Sequence, residues 1–101
     1  MIITGPQARA ARVLIEWPRE KVARLAGLDE DALRAFERGK VDPGDPARRA
    51  LQATLERGGA VFIPETGTEG AGVRLKWSRK DAKQLNRMEN EGGPVADDDV
   101  L

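Results

Sequence analysis

Charged side chains crowd the stretch from Arg19 to Lys40, and their types fix the chemistry on offer. Arg19, Arg24, Arg34, Arg38 and Lys40 can each hold a phosphate oxygen, the arginines as planar forks and the lysine as a point charge. Asp29, Glu30 and Asp31 fall together at the start of "DEDALRAFERG". A carboxylate there can accept from cytosine N4, or it can cap a helix by accepting from its free amides. The structural reading makes Asp29 the cap, with Glu30 and Asp31 at the positive end of the helix dipole. The functional reading lets the acids restrict which base sequences the helix accepts, while the arginines hold the backbone.

Other chemistry is poorly supplied. The chain has neither histidine nor cysteine, so the commonest general base, the commonest metal ligand and every thiolate site are missing. The carboxylates at 29–31 and 97–99 lack the spacing of a calcium loop. The glycines of "ETGTEGAG" are followed by no Lys-Ser or Lys-Thr and open no helix, so they make a hairpin tip and not a phosphate loop. The expectation is a protein that is not an enzyme and takes no cofactor and no metal.

Charge and length bound the partners. The 101 residues suit one compact domain, and 17 basic against 17 acidic side chains leave no overall attraction to nucleic acid. Any such attraction must come from a local patch. Residues 9–57 form a mildly basic body, whereas residues 89–101 hold Glu89, Glu91, Asp97, Asp98 and Asp99 and no base. No apolar run is long enough for a membrane span and the first residues lack a signal peptide's apolar core. A cytoplasmic protein is expected, one that would associate with the nucleoid if a local patch bound DNA.

The elements that must position these groups follow from periodicity and punctuation. Thr4 or Gly5 can cap a helix over about 6–15, with Pro6 in its first turn and Ala8, Ala11, Leu14 and Ile15 inward, Val13 lying at the margin. A second helix, about 18–25, places Val22, Ala23 and Leu25 on one face and stops at Gly27. Leu28 packs in the turn, and a third helix over about 30–37 turns Ala32, Leu33 and Phe36 inward before Gly39. "KVDPGDP" is loop chemistry whose Asp45 caps a fourth helix over about 46–57, burying Ala50, Leu51 and Leu55.

Beyond Gly58-Gly59 the period changes. "AVFIP" is a continuous apolar strand, and "VRLKW" alternates, with Val73, Leu75 and Trp77 on one face and Arg74 and Lys76 on the other. A hairpin over 59–78 is expected. Its first strand is apolar on both faces, Val61 and Ile63 against Phe62, which calls for cover on both sides: once by its own helices and once by a symmetric partner. The dimerisation residues are then Val61, Phe62, Ile63, Val73, Leu75 and Trp77, and Trp17 and Trp77 are core or interface anchors. Ser78 with Asp81 has the form of a capping box for a polar helix over about 79–90, with a loose acidic tail after it.

The residue pattern "RAARVLIEWPREKVARLAGLDEDALRAFERGK" resembles the helix-turn-helix of the xenobiotic-response-element family, the lambda-repressor and Cro-like regulators. The resemblance rests on Arg12 as the first-helix arginine, Trp17 at the corner and Val22-Ala23 at the family's Leu-Ala pair. It continues through Ala26-Gly27-Leu28 at the turn, Leu33 at the apolar position and Glu37-Arg38-Gly39 at the close. It is close over residues 7–40 and looser over 41–57. "AVFIPETGTEGAGVRLK" also resembles the strand pair that follows the bundle in some bacterial members. Pro18-Arg19 stands where the family has Ser-Gln, so the capping hydroxyl is gone and Arg19 offers the phosphate contact in charged form.

The resemblance implies a mainly α, lambda-repressor-like bundle of four helices over 1–58, a two-stranded antiparallel hairpin over 59–78 and a short helix with an acidic tail over 79–101. It implies an ion pair of Arg12 with Glu37 and a third helix lying in the major groove, with Asp29, Glu30, Asp31 and Arg34 towards the bases. The function expected is a dimeric, sequence-specific DNA-binding transcriptional regulator, a repressor on a palindromic site in double-stranded DNA. The alternative is a helix-turn-helix module for a protein partner, such as an antitoxin, an anti-repressor or a partner of the transcription machinery. Neutral charge, the acidic helix start and the acidic tail favour that second class. Charge geometry separates the two.

Overall fold

The computed structural model describes residues 2–78; the helix expected over 79–90 and the acidic tail lie outside the described residues. In chain order the elements are α1 (Gly5–Ile15), α2 (Arg19–Ala26), α3 (Glu30–Glu37), α4 (Asp45–Arg57), β1 (Ala60–Ile63) and β2 (Gly72–Leu75). The chain is mainly helical with a two-stranded antiparallel hairpin.

Each helix end has a local cause. Thr4 caps α1: its hydroxyl accepts from the Gln7 amide at 3.2 Å, and the Gln7 side chain accepts from the Thr4 amide at 3.1 Å, so two free amides are satisfied reciprocally. The same Gln7 side chain donates to the carbonyls of Ile63 and Gly72 at 3.3 and 3.0 Å, fastening the loop end of the hairpin to the start of α1. Pro18 begins α2 without any side-chain cap. For α4 the cap is Gly44 and not Asp45, which lies one residue further in; Gly44 takes φ 100°, where a side chain would be strained, and its amide donates to Asp42.

One core joins all the elements. Ile3, Ala8, Ala11, Ile15, Trp17, Val22, Leu33, Phe36, Leu51 and Leu55 are buried together with Ala60 and Phe62 of β1. In the hairpin Ala60 pairs with Leu75 and Phe62 with Val73, and these four side chains face the helices. Val61 pairs with Arg74 and Ile63 with Gly72 on the opposite face. Strand alternation therefore puts Phe62, Val73 and Leu75 in the chain's own core and leaves Ile63 exposed and Val61 half-buried on the outer face. Trp77, past the end of β2, is exposed and has its ring beside Gly59.

Four packing expectations need correction. Leu14 and Ala32, expected inward, are only half-buried, beside the faces set by Ala8, Ala11 and Ile15 on α1 and by Leu33 and Phe36 on α3. Leu25 is 42% exposed, because the α2 face that meets α4 and α3 is set by Val22 and Ala23 and Leu25 falls beside it. Ala50 is only half-buried; Leu51, Thr54 and Leu55 form the inward row of α4. Among the described residues no helix is long and apolar enough to cross a membrane.

Candidate nucleic-acid interface

The α2–α3 junction is built from three residues, each with a separate task. Gly27 takes φ 75°, a left-handed conformation in which an L side chain is strained, and its amide closes the last turn of α2. Leu28 turns into the core and its amide donates to the Ala23 carbonyl at 2.8 Å. Asp29 then starts α3, with one carboxylate oxygen accepting from the amides of Asp31 and Ala32 at 3.1 and 3.3 Å. The capping role read from the sequence is thus present in the geometry.

Behind this junction lies a cluster of charge. Arg12 donates to both carboxylate oxygens of Glu37, at 2.7 and 3.1 Å, and Arg19 donates to one of them at 3.2 Å. The Glu37 side chain is only 1% exposed. It therefore ties α1, the start of α2 and the end of α3 into one unit, and the two guanidiniums supply what its desolvation costs. Arg12 with Glu37 is the pair expected; Arg19 is drawn into the same cluster, which leaves it a structural link as well as a candidate for phosphate.

The outer side of α3 is less basic than its arginines suggest. Arg34 is bonded to Asp31 and lies 3.6 Å from Glu30, and Arg24 on α2 lies 3.7 Å from Glu20. Such exposed pairs at helical spacing are worth about 0–1 kcal/mol, so a ligand can displace them at small cost. Their acids nevertheless remain beside any anion that approaches Arg34. By contrast Arg9, Arg38 and Lys40 are exposed and have no ion-pair partner among the described residues. Of the cations on α1, α2, α3 and the turn after α3, those without an ion pair therefore lie on α1 and at the end of α3, not at its start. Arg49, Arg57, Arg74 and Lys76 elsewhere on the surface are likewise exposed and in no ion pair among the described residues.

Arg48 was not among the residues singled out, yet it holds the chain's first segment in place. Its guanidinium donates twice to the Ile3 carbonyl, at 2.8 and 3.1 Å, reaches Asp42 at 3.4 Å and lies over the Phe36 ring. No local pattern announces a contact spanning 45 residues. The side of α1 next to Arg9 and Arg38 forms a groove of about 660 Å³, floored by Ala10, Val13, Leu14 and Val73. Among the described residues no group of three or more acidic side chains converges as a metal site would require.

No protein-family model matches the chain, and no relative was found among curated proteins.

Proposed function

We propose that this chain is a DNA-binding transcriptional regulator of the lambda-repressor-like, xenobiotic-response-element kind, not an enzyme, acting as a homodimer on a palindromic site. The observation that carries the reading is the α2–Gly27 turn–α3 pair, braced from behind by Glu37 with Arg12 and Arg19, with Glu30, Asp31, Arg34 and Arg38 on the outward side of α3. A braced helix held by a tight turn is the arrangement that a groove reader needs, since base contacts demand a fixed approach. Arg38 and Lys40, with Arg9 beside them, are the backbone contacts; Arg24 and Arg19 are secondary ones, each shared with a carboxylate. Arg34 reads a base edge, and Asp29, Glu30 and Asp31 limit the sequences that it can approach.

A second reading has its own support. Arg34 is claimed by Glu30 and Asp31, and Arg24 by Glu20, so the start of α3 offers an acidic and not a cationic surface. That surface suits a basic protein partner, in which case the same scaffold serves as an interaction module.

Selection of randomised duplex DNA by the purified chain at near-physiological salt tests both. Enrichment of a palindrome with half-sites about one helical turn apart is the expected result. No enrichment with a folded protein would transfer the function to the protein-binding reading.

A further inference from the structure

The groove between α1, the end of α3 and β2 combines two features that its own elements leave unused. Val13, on its floor, is 59% exposed, and Leu14 and Val73 beside it are half-buried. Arg9 and Arg38 border the same groove without ion-pair partners among the described residues. The remaining charged lining group, Glu37, is occupied by Arg12 and Arg19. An occupant must therefore carry acids beside small apolar side chains.

We propose that residues 95–101 of the same chain, "VADDDVL", occupy this groove, with Asp97, Asp98 and Asp99 against Arg9 and Arg38 and the flanking Val95, Val100 and Leu101 against the Val13, Leu14 and Val73 floor. Charge complementarity favours this segment, because residues 89–101 hold five acids and no base. Length permits it. Sixteen residues lie between Ser78 and Val95, a reach of about 55 Å when extended, against a longest molecular dimension of 45 Å. A second copy fits less well: the apolar outer face of its hairpin carries Arg74, which would bring a third cation towards Arg9 and Arg38. The consequence for regulation rests on the DNA-binding reading: a docked segment withholds from phosphate two of the cations assigned to it, so the acidic segment lowers non-specific DNA affinity from within the chain.

The docking itself can be tested without DNA. The absence of cysteine allows a single nitroxide at Ala96→Cys in the full chain, and broadening of backbone amide resonances then locates the segment. The expected result is loss of signal centred on Ala10, Val13 and Gly39, relieved in Arg9→Gln/Arg38→Gln and in Asp97→Asn/Asp98→Asn/Asp99→Asn. It should weaken as salt rises from 0.1 to 1 M and the screening length falls from about 10 to about 3 Å. Broadening spread evenly over the surface, or centred elsewhere, would overturn the proposal. So would persistence of the groove signal when only unlabelled-isotope molecules carry the nitroxide, since the occupant would then be a second copy. None of these outcomes depends on whether the chain binds DNA, so a failure here leaves the proposed function to its own experiment.

Discussion

Glu37 and Arg12 meet through two parallel hydrogen bonds, Nε to Oε2 at 2.7 Å and Nη2 to Oε1 at 3.1 Å, with the carboxylate sealed from solvent. Because Arg19 reaches the same carboxylate, deleting Glu37 leaves two cations facing each other in a part-buried space. Glu37→Ala should lower unfolding stability by about 3–5 kcal/mol, the cost of breaking a buried pair from one side. Arg19→Ala should cost clearly less, since Arg12 still pairs with the carboxylate. Urea unfolding monitored by tryptophan fluorescence or circular dichroism compares them, and equal losses would show that Arg19 is as structural as Arg12.

Two glycines distinguish steric contact from backbone strain. A Cβ on Gly5 would lie 1.9 Å from the Phe36 carbonyl oxygen, so Gly5→Ala must push α1 away from the end of α3. Gly27→Ala meets nothing nearby but must hold φ 75°. The first substitution is expected to destabilise by about 1–3 kcal/mol through overpacking, and the second by about 1–2 kcal/mol through left-handed strain. Only Gly5→Ala should shift amide resonances on both sides of the α1–α3 contact.

The acids at the start of α3 can be separated by their tasks. Asp29→Ala removes the cap and should cost about 1 kcal/mol, whereas Asp29→Asn keeps an acceptor and should cost little. Asp31→Asn leaves the cap intact while weakening the hold on Arg34. Under the DNA-binding reading it raises affinity for all sequences and narrows the gap between the best site and random DNA. Unchanged affinity with unchanged selectivity would remove α3 from the interface.

For DNA affinity, Arg38→Ala and Lys40→Ala should each reduce the log–log salt slope by about 0.9 if each holds one phosphate, without altering sequence preference. Arg34→Ala should alter preference more than slope. Titrations over a salt series on a selected site and on random duplex decide this. A change in Arg19→Ala must be read beside its stability, because the same side chain braces Glu37.

Much of the architecture was legible in punctuation. Pro6, Gly27, Asp29, Gly39 and the Gly58-Gly59 pair placed the helix ends within a residue or two, because each restricts the backbone locally. The Arg12–Glu37 pair came from the resemblance and is present. What escaped was tertiary. Periodicity on a helix as short as α2 could not decide whether Leu25 faced inward or aside, since the neighbours that set the buried face lie far along the chain. Likewise Arg19 is drawn to Glu37 across 18 residues and Arg48 to Ile3 across 45, contacts that leave no local trace. The charge geometry left open at the start of α3 is set by weak i,i+3 and i,i+4 pairing of Arg34 with Asp31 and Glu30, a spacing that the sequence does display.

The hairpin supplies the last prediction. Its inner face belongs to the core through Ala60, Phe62, Val73 and Leu75, so the apolar groups left on its outer face to meet a second copy are Ile63 and half-buried Val61, with exposed Trp77 lying past β2 beside Gly59. Ile63 is 42% exposed and its partner across the strands is Gly72, which offers no covering side chain. If the homodimer forms here, Ile63→Glu should yield monomers in sedimentation at micromolar concentration while leaving the helical signal and core stability nearly unchanged, as two like charges would be buried across the axis. Phe62→Glu should unfold the chain in either case, because its ring lies in the core. A wild-type chain already monomeric under those conditions would remove the hairpin dimer, and with it the palindromic spacing, from the proposed function.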